Sequence, residues 1–270
     1  MTPSDRQPNR VAVLRVLGLA LVLLGPAPAQ TPPLVADRPD QTESSQTVPP
    51  GYAQFELGWT YRKEDDNAKT TSHAFPETLV RLGIVERLEL RIGFDGYIWA
   101  DPEDAGRFEG AGDMEIGLKW KLWEEFERRP QTALLVGTSA PTGEAPFSSR
   151  RFDPSLRLAF SHTLNETFSL DYNVAGLWRT EQNARGNRDT TASIAYSAVL
   201  GIDLTDTLGT FVEFFGETPT DSGRPAHALD TGLTYLIADN VQFDVIGGIG
   251  LSDEADDWFV GAGVTWRLPH

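Results

Sequence analysis

From Tyr52 onward, apolar and polar residues alternate with period two through many segments of about ten residues. A period of two belongs to strands whose two faces meet different surroundings. Between Asp113 and Leu122, one face carries Met114, Ile116, Leu118, Trp120 and Leu122, and the other carries Asp113, Glu115, Gly117, Lys119 and Lys121. The same division runs through Phe55 to Tyr61 and Leu88 to Asp95. Counting along the chain predicts twelve strands, near residues 52–61, 78–84, 88–96, 112–122, 132–139, 154–161, 168–178, 190–202, 208–216, 228–236, 241–251 and 258–268. The fifth and ninth are the least defined, because Ala133-Leu134-Leu135-Val136 and Phe211-Val212-Glu213-Phe214-Phe215 are apolar on both faces.

The connections between these segments choose the architecture. The odd-numbered ones are long or polar, as in Arg62 to Glu77, Tyr97 to Ala111, Ala140 to Asp153 and Arg179 to Asp189. The even-numbered ones are mostly tight, as in Val85-Glu86-Arg87 and Ile237-Ala238-Asp239-Asn240. Outer-membrane barrels join their strands in this alternation, with short turns on the periplasmic side and longer loops outside. A soluble sandwich gives no reason for it, and burying one polar face in a core would cost several kcal/mol per charged group. Trp59, Tyr61, Trp120, Trp178, Trp258 and Trp266 fall near predicted strand ends, where aromatic rings meet lipid headgroups. The expected fold is therefore all-β, an antiparallel transmembrane β-barrel of about 12 strands over residues 52–270.

Its polar faces would line the lumen. They carry Glu56, Glu89, Asp95, Asp113, Glu115, Asp171, Glu213, Asp230 and Asp244, nine acids, against Arg81, Arg91, Lys119, Lys121, Arg157 and Arg267, six bases, a formal charge of −3. The inward glycines, Gly58, Gly83, Gly93, Gly117, Gly201, Gly232, Gly248, Gly261 and Gly263, predict an uncrowded bore. Barrels of about eight strands are filled by side chains and those of 16 to 18 hold an aqueous channel, so about twelve leaves both outcomes open.

The N-terminus sends the chain out of the cytoplasm. Arg6, Arg10 and Arg15 precede the apolar run Val16 to Leu24, and Ala27-Pro28-Ala29 follows as a cleavage site, so residues 1–29 read as a signal peptide. The remaining chain has 38 Asp and Glu against 20 Lys and Arg, a charge of −18, which argues against a nucleic-acid partner. There is no cysteine, so no disulfide framework stabilises it. Residues 30–51, rich in Pro, Ser, Thr and Gln, form an irregular arm that either hangs in the periplasm or folds into the lumen. Its Asp37-Arg38-Pro39-Asp40 core has charges to offer lumenal Arg91, Arg157 or Lys119.

Two places resemble the outer-membrane transporter family of the MetA-pathway of phenol degradation. One is the arm and first strand, Ala36-Asp37-Arg38-Pro39-Asp40-Gln41-Thr42-Glu43-Ser44, then Thr47-Val48-Pro49-Pro50-Gly51 and Gln54-Phe55-Glu56-Leu57-Gly58. The other is Pro141-Thr142-Gly143 at the start of an external loop. The resemblance implies a barrel linked to aromatic catabolism. Barrels commonly end on an aromatic residue read by the barrel-assembly machinery; this chain closes on Trp266-Arg267-Leu268-Pro269-His270, which leaves Trp266 to serve.

Motifs for catalysis are missing from the sequence: no phosphate-binding glycine loop, no Gly-x-Ser-x-Gly elbow, no metal-spaced His or Cys cluster. His162 lies near a strand, but Ser161 and Ser155 have the opposite parity, so it reads as a polar residue at a periplasmic turn. The acidic runs Glu64-Asp65-Asp66, Asp101-Pro102-Glu103-Asp104 and Asp253-Glu254-Ala255-Asp256-Asp257 match no EF-hand spacing and read as solvated loops, bridged by divalent ions to lipopolysaccharide phosphates. The expectation is an outer-membrane channel of a Gram-negative bacterium, without enzymatic activity or cofactor, that passes small and hydrophobic or aromatic molecules. Its surroundings would be outer-membrane lipid and lipopolysaccharide. The alternative is a structural or adhesive barrel with a filled lumen.

Overall fold

The computed structural model describes residues 32–65, 69–182, 187–221 and 223–269; the signal segment 1–29 lies outside them. Fourteen strands form one antiparallel sheet: β1 (Tyr52–Glu64), β2 (Thr70–Val85), β3 (Leu88–Phe94), β4 (Tyr97–Pro102), β5 (Phe108–Ala111), β6 (Met114–Trp123), β7 (Gln131–Ala140), β8 (Asp153–Thr163), β9 (Phe168–Gln182), β10 (Arg188–Asp203), β11 (Leu208–Pro219), β12 (Ala226–Ala238), β13 (Val241–Gly250) and β14 (Trp258–Pro269). β1 pairs with both β2 and β14, so the sheet closes on itself.

The closed wall has twelve strands, as the alternation predicts. β4 continues the line of β3 beyond Asp95-Gly96, and β5 runs into β6 across Gly112-Asp113. Gly96 has φ +90, and a β-carbon there would lie 3.2 Å from the Phe75 and Pro76 backbone, so the break requires glycine. β2 spans both pieces, pairing through Thr78–Val85 with β3 and through Thr70–Phe75 with β4.

Three of the long external connections turn out shorter than expected. Thr70-Thr71-Ser72, Tyr97 to Pro102 and Phe108 to Ala111 are strand, and β9 and β10 each run on to Gln182 and Arg188. These hairpins lack a regular apolar face, so a hydrophobic pattern does not reveal them although their backbones pair fully. Only the β7–β8 connection, residues 141–152, remains long. The opposite end carries both termini of the barrel and connections such as 86–87, 204–207 and 239–240.

The faces are inverted relative to a soluble protein. Ile116, Leu118, Val136, Leu156, Val174, Val212, Leu233, Phe243 and Val245 are exposed on the outside, Ile116 at 52%, while Arg81, Glu89, Lys119 and Glu213 inside are at 0%. A lipid-facing apolar wall around a polar bore gives this pattern, because all wall backbone groups pair between strands. The two doubly apolar segments also resolve: Ala133 and Leu135 meet Ala159 inside, and Phe211 joins Val199, Ile246, Phe259 and Phe215 in an inward aromatic cluster.

Candidate channel lumen

Charge is segregated around the bore. Arg81 on β2, Arg91 on β3 and Lys119 on β6 stand on one side; Glu213 on β11, Asp230 on β12 and Asp244 on β13 stand on the other. Arg81 and Arg91 are cross-strand partners, and two adjacent guanidinium groups are tolerable only with anions between them. Glu89 supplies one, bonding Arg81 at 2.9 Å and Arg91 at 3.0 Å. Glu56 supplies another, 3.1 Å from Arg81.

The third comes from the arm, whose residues 32–51 run through the bore. The Asp37 carboxylate touches Arg81 at 3.1 Å, Lys119 at 2.7 Å and Arg91. Burial alone would raise its pKa, but Arg81, Lys119 and Arg91 hold it well below the usual carboxylate range. Glu43 grips Arg91 through both oxygens, at 2.8 and 2.7 Å. On the acidic side Arg38 reaches Asp244 at 3.2 Å, while Glu213 accepts the Gln41 amide at 2.7 Å and the Thr42 hydroxyl at 2.5 Å. Asp40 has the opposite fate from Asp37: burial, then Glu213, Asp171 and Asp230, push its pKa well above the usual range. Adding the arm's Asp37, Asp40, Glu43 and Arg38 to the inward residues counted from the sequence makes twelve acids against seven bases, a formal charge of −5 for that set.

The remaining predicted residues play varied parts. Arg157 bonds the Gln41 carbonyl at 3.2 Å and Asn173 at 3.0 Å, so it meets the arm's backbone and not an arm acid. Arg267 takes the carbonyls of Pro32 and Pro33, and Asp171 accepts from Ser161. Asp113 binds the Gly143 and Ser149 amides at 2.8 and 3.1 Å, which tethers the β7–β8 loop. Glu115 faces an open cavity of about 640 Å³ shared with Asp95, Asp153 and Arg179. Sequence reasoning missed Gln54, Gln131, Ser161, Asn173 and Ser197, which hydrogen-bond the arm and whose inward parity was the available signal.

The inward glycines do not leave an empty bore. A β-carbon at Gly58 or Gly263 would strike the Arg38 guanidinium, at 2.0 and 2.4 Å, and one at Gly83 would strike the Pro49 carbonyl at 2.0 Å. Gly232 and Gly248 lie under the rings of Phe211 and Phe259. The missing side chains make room for the arm and for aromatic rings, which corrects the expectation of an uncrowded lumen. Gly58 and Gly263 are register partners on β1 and β14, so Arg38 lies directly across the seam where the barrel closes. Open space survives mainly on the loop side of the arm, in cavities of about 360, 640, 450 and 270 Å³, against about 160 Å³ on the terminus side beside Pro32, Gln54 and Arg267.

His162 sits at the end of β8 opposite the long loops, 3.5 Å from Glu125 and stacked on Tyr172. The acidic loops pair with neighbouring bases, including Arg107 with Asp101 and Arg224 with Asp253 and Glu254. Among the described residues, no His, Asp or Glu group is arranged to hold a metal ion.

A closed antiparallel barrel with an apolar exterior and a charged, arm-threaded bore is an outer-membrane β-barrel. Solved structures of that class superpose on it. An outer membrane channel from Pseudomonas putida F1 does so with a TM-score of 0.65 at 12% identity, over 83% of this chain and 98% of that one. The NanC porin gives 0.55 at 9% identity over 79% and 100%, and the β domain of the Bordetella autotransporter BrkA gives 0.53 at 12% over 80% and 99%. At these identities the likeness is one of fold. No curated protein sequence matches the chain. The chain belongs to the family described as "Putative MetA-pathway of phenol degradation", which matches residues 36–268, so the arm from Ala36 onward is part of the family pattern.

Proposed function

We propose that the protein is an outer-membrane channel for small solutes, neutral or cationic, whose arm constricts the bore. The observation that carries this reading is the bore itself: inward charges with acids in excess inside an apolar wall, and open cavities of about 640 and 450 Å³ on the loop side of the arm. A narrow passage with low-dielectric walls strengthens that field and favours cations. The inward cluster of Phe211, Phe215, Ile246 and Phe259 gives apolar or aromatic solutes a surface beside it. The P. putida neighbour's being a channel and the family's link to phenol degradation support the same reading.

The arm's ion pairs favour a second reading, a structural barrel with a filled lumen. Planar-bilayer recording separates them. The channel reading expects discrete conductance and reversal potentials of cation selectivity under a salt gradient; anion selectivity would refute the charge argument. No conductance even after deletion of residues 32–50 would establish the filled barrel. Catalysis has no place in either reading. The proposed partners are outer-membrane lipid, lipopolysaccharide against the acidic loops, and the barrel-assembly machinery reading the Trp266 segment.

A further inference from the structure

Arg157 on β8 differs from the cations across the bore. Arg81, Arg91 and Lys119 each meet carboxylates. The Arg157 guanidinium spends one nitrogen on two neutral acceptors, the Gln41 carbonyl and the Asn173 side chain, and among the described residues it forms no ion pair. It also lines a cavity of about 360 Å³ on the loop side of the arm. A guanidinium has five N–H donors in a rigid fork, so one that uses a single nitrogen beside open space can take a further acceptor.

Strand register builds the cavity. Arg157, Ala175, Ala195 and Glu217 follow one another across β8, β9, β10 and β11 as direct cross-strand partners, and the two alanines leave a low floor between the charged ends. Leu177 and the edge-to-face pair Phe215 and Phe259, 6.2 Å apart, give it an apolar side. A cavity of about 150 Å³ already admits benzene, so this one has room for a ring and a substituent. Glu217, Glu254 and Asp256 line it too, each held by an arginine, Arg179, Arg224 and Arg62 respectively. An anion entering here meets those three carboxylates. An ammonium group finds them already engaged and faces Arg157 and Arg179 besides. A neutral hydroxyl or carbonyl oxygen accepts from the guanidinium without either penalty, while its hydrocarbon body covers the apolar side.

We propose that this cavity binds a small aromatic or apolar molecule carrying a neutral oxygen acceptor, a hydroxyl or carbonyl, and that Arg157 grips the oxygen. The proposal deepens the channel reading by naming a class of solute and the residue that selects it, and rests on that reading only for the route by which the solute arrives.

Calorimetric titration of the full, detergent-folded protein with benzyl alcohol tests it, with heats in protein-free micelles subtracted, benzoate and benzylammonium as controls, and heat-modified gel mobility as the check on folding. The expected result is one saturable site for benzyl alcohol, with both controls about tenfold or more weaker. Arg157→Met should weaken benzyl alcohol about tenfold or more, the loss of a charge-assisted hydrogen bond. Ala195→Phe, which fills the floor and keeps Arg157, should abolish binding. Because Arg157 also holds the Gln41 carbonyl, hydrogen exchange across residues 32–50 is followed in Arg157→Met; if the arm unseats there, Ala195→Phe decides alone. Benzoate or benzylammonium binding as tightly as the alcohol, unchanged affinity in folded Ala195→Phe or in Arg157→Met with the arm seated, or no saturable site at all would overturn the proposal. Liposome swelling in benzyl alcohol is read separately: binding without permeation keeps the site and sinks the channel, and permeation without binding does the reverse.

Discussion

Asp37→Asn removes one negative charge, at nearly constant volume, from the point where Arg81, Arg91 and Lys119 converge. The amide still accepts from the Ser44 N–H, which reaches the other Asp37 oxygen at 3.1 Å, so the local turn survives. What remains is three buried cations against three carboxylates, Glu89, Glu56 and Glu43, with the guanidinium and ammonium donors that shared one Asp37 oxygen now turned on an amide. Breaking a buried pair from one side typically costs about 3–5 kcal/mol. Since each 1.4 kcal/mol is a factor of ten, the seated arm would lose about 100-fold or more in population relative to the unseated one. Single-channel recordings should show longer and larger openings, and hydrogen exchange should show lost protection across residues 32–50. Adding Lys119→Met removes one of the donors left without that acceptor and should recover part of the protection. Unchanged conductance and protection in Asp37→Asn would refute the idea that this ion cluster holds the arm.

Acidity should act on the two arm aspartates in opposite directions. Asp37, held below the usual range, stabilises the seated arm above its unseated pKa and loses that contribution only as pH falls through the depressed value. Asp40, held above it, favours the seated arm when protonated and loses that contribution as pH rises through the raised value, so Asp40→Asn should flatten the alkaline arm of a protection-against-pH curve. On the wall, Leu118→Arg faces lipid and should cost about 2–4 kcal/mol in reversible unfolding, with Glu115→Gln costing far less; the reverse ranking would invert the faces. Gly83→Ala meets the Pro49 backbone and should make the arm protease-sensitive, whereas Gly58→Ala meets the movable end of Arg38 and should be milder.

The wall was legible because lipid on one side and water and charge on the other force alternation at each residue: Ile116, Leu118 and Trp120 against Glu115, Lys119 and Lys121. The bore's charged residues followed from the same parity. The arm's path was not legible, because much of what fixes it is main chain: the carbonyls of Pro32, Pro33, Val35, Gln41, Ser44 and Gln46 take bonds that no side-chain pattern announces. For the same reason Gly83 reads as empty space until Pro49 is found against it. Asp113 shares the parity of Lys119, yet it lies at the rim and serves a loop, since position along a strand sets depth and periodicity does not.

Arg38 lying across Gly58 and Gly263 bears on how the barrel is assembled. The arm precedes β1 in the chain, but its partners lie on every wall strand save β12, and the clasp to Asp244 spans 206 residues. Such distant contacts form late. The saddle for the guanidinium exists only when the first and last strands meet in register, because a slip of one residue turns every side chain to the other face. A barrel closed out of register would offer Arg38 a ridge in place of a groove and leave Asp244 unmatched. The seated arm therefore matches, from the inside, the seam alignment that puts glycine opposite glycine.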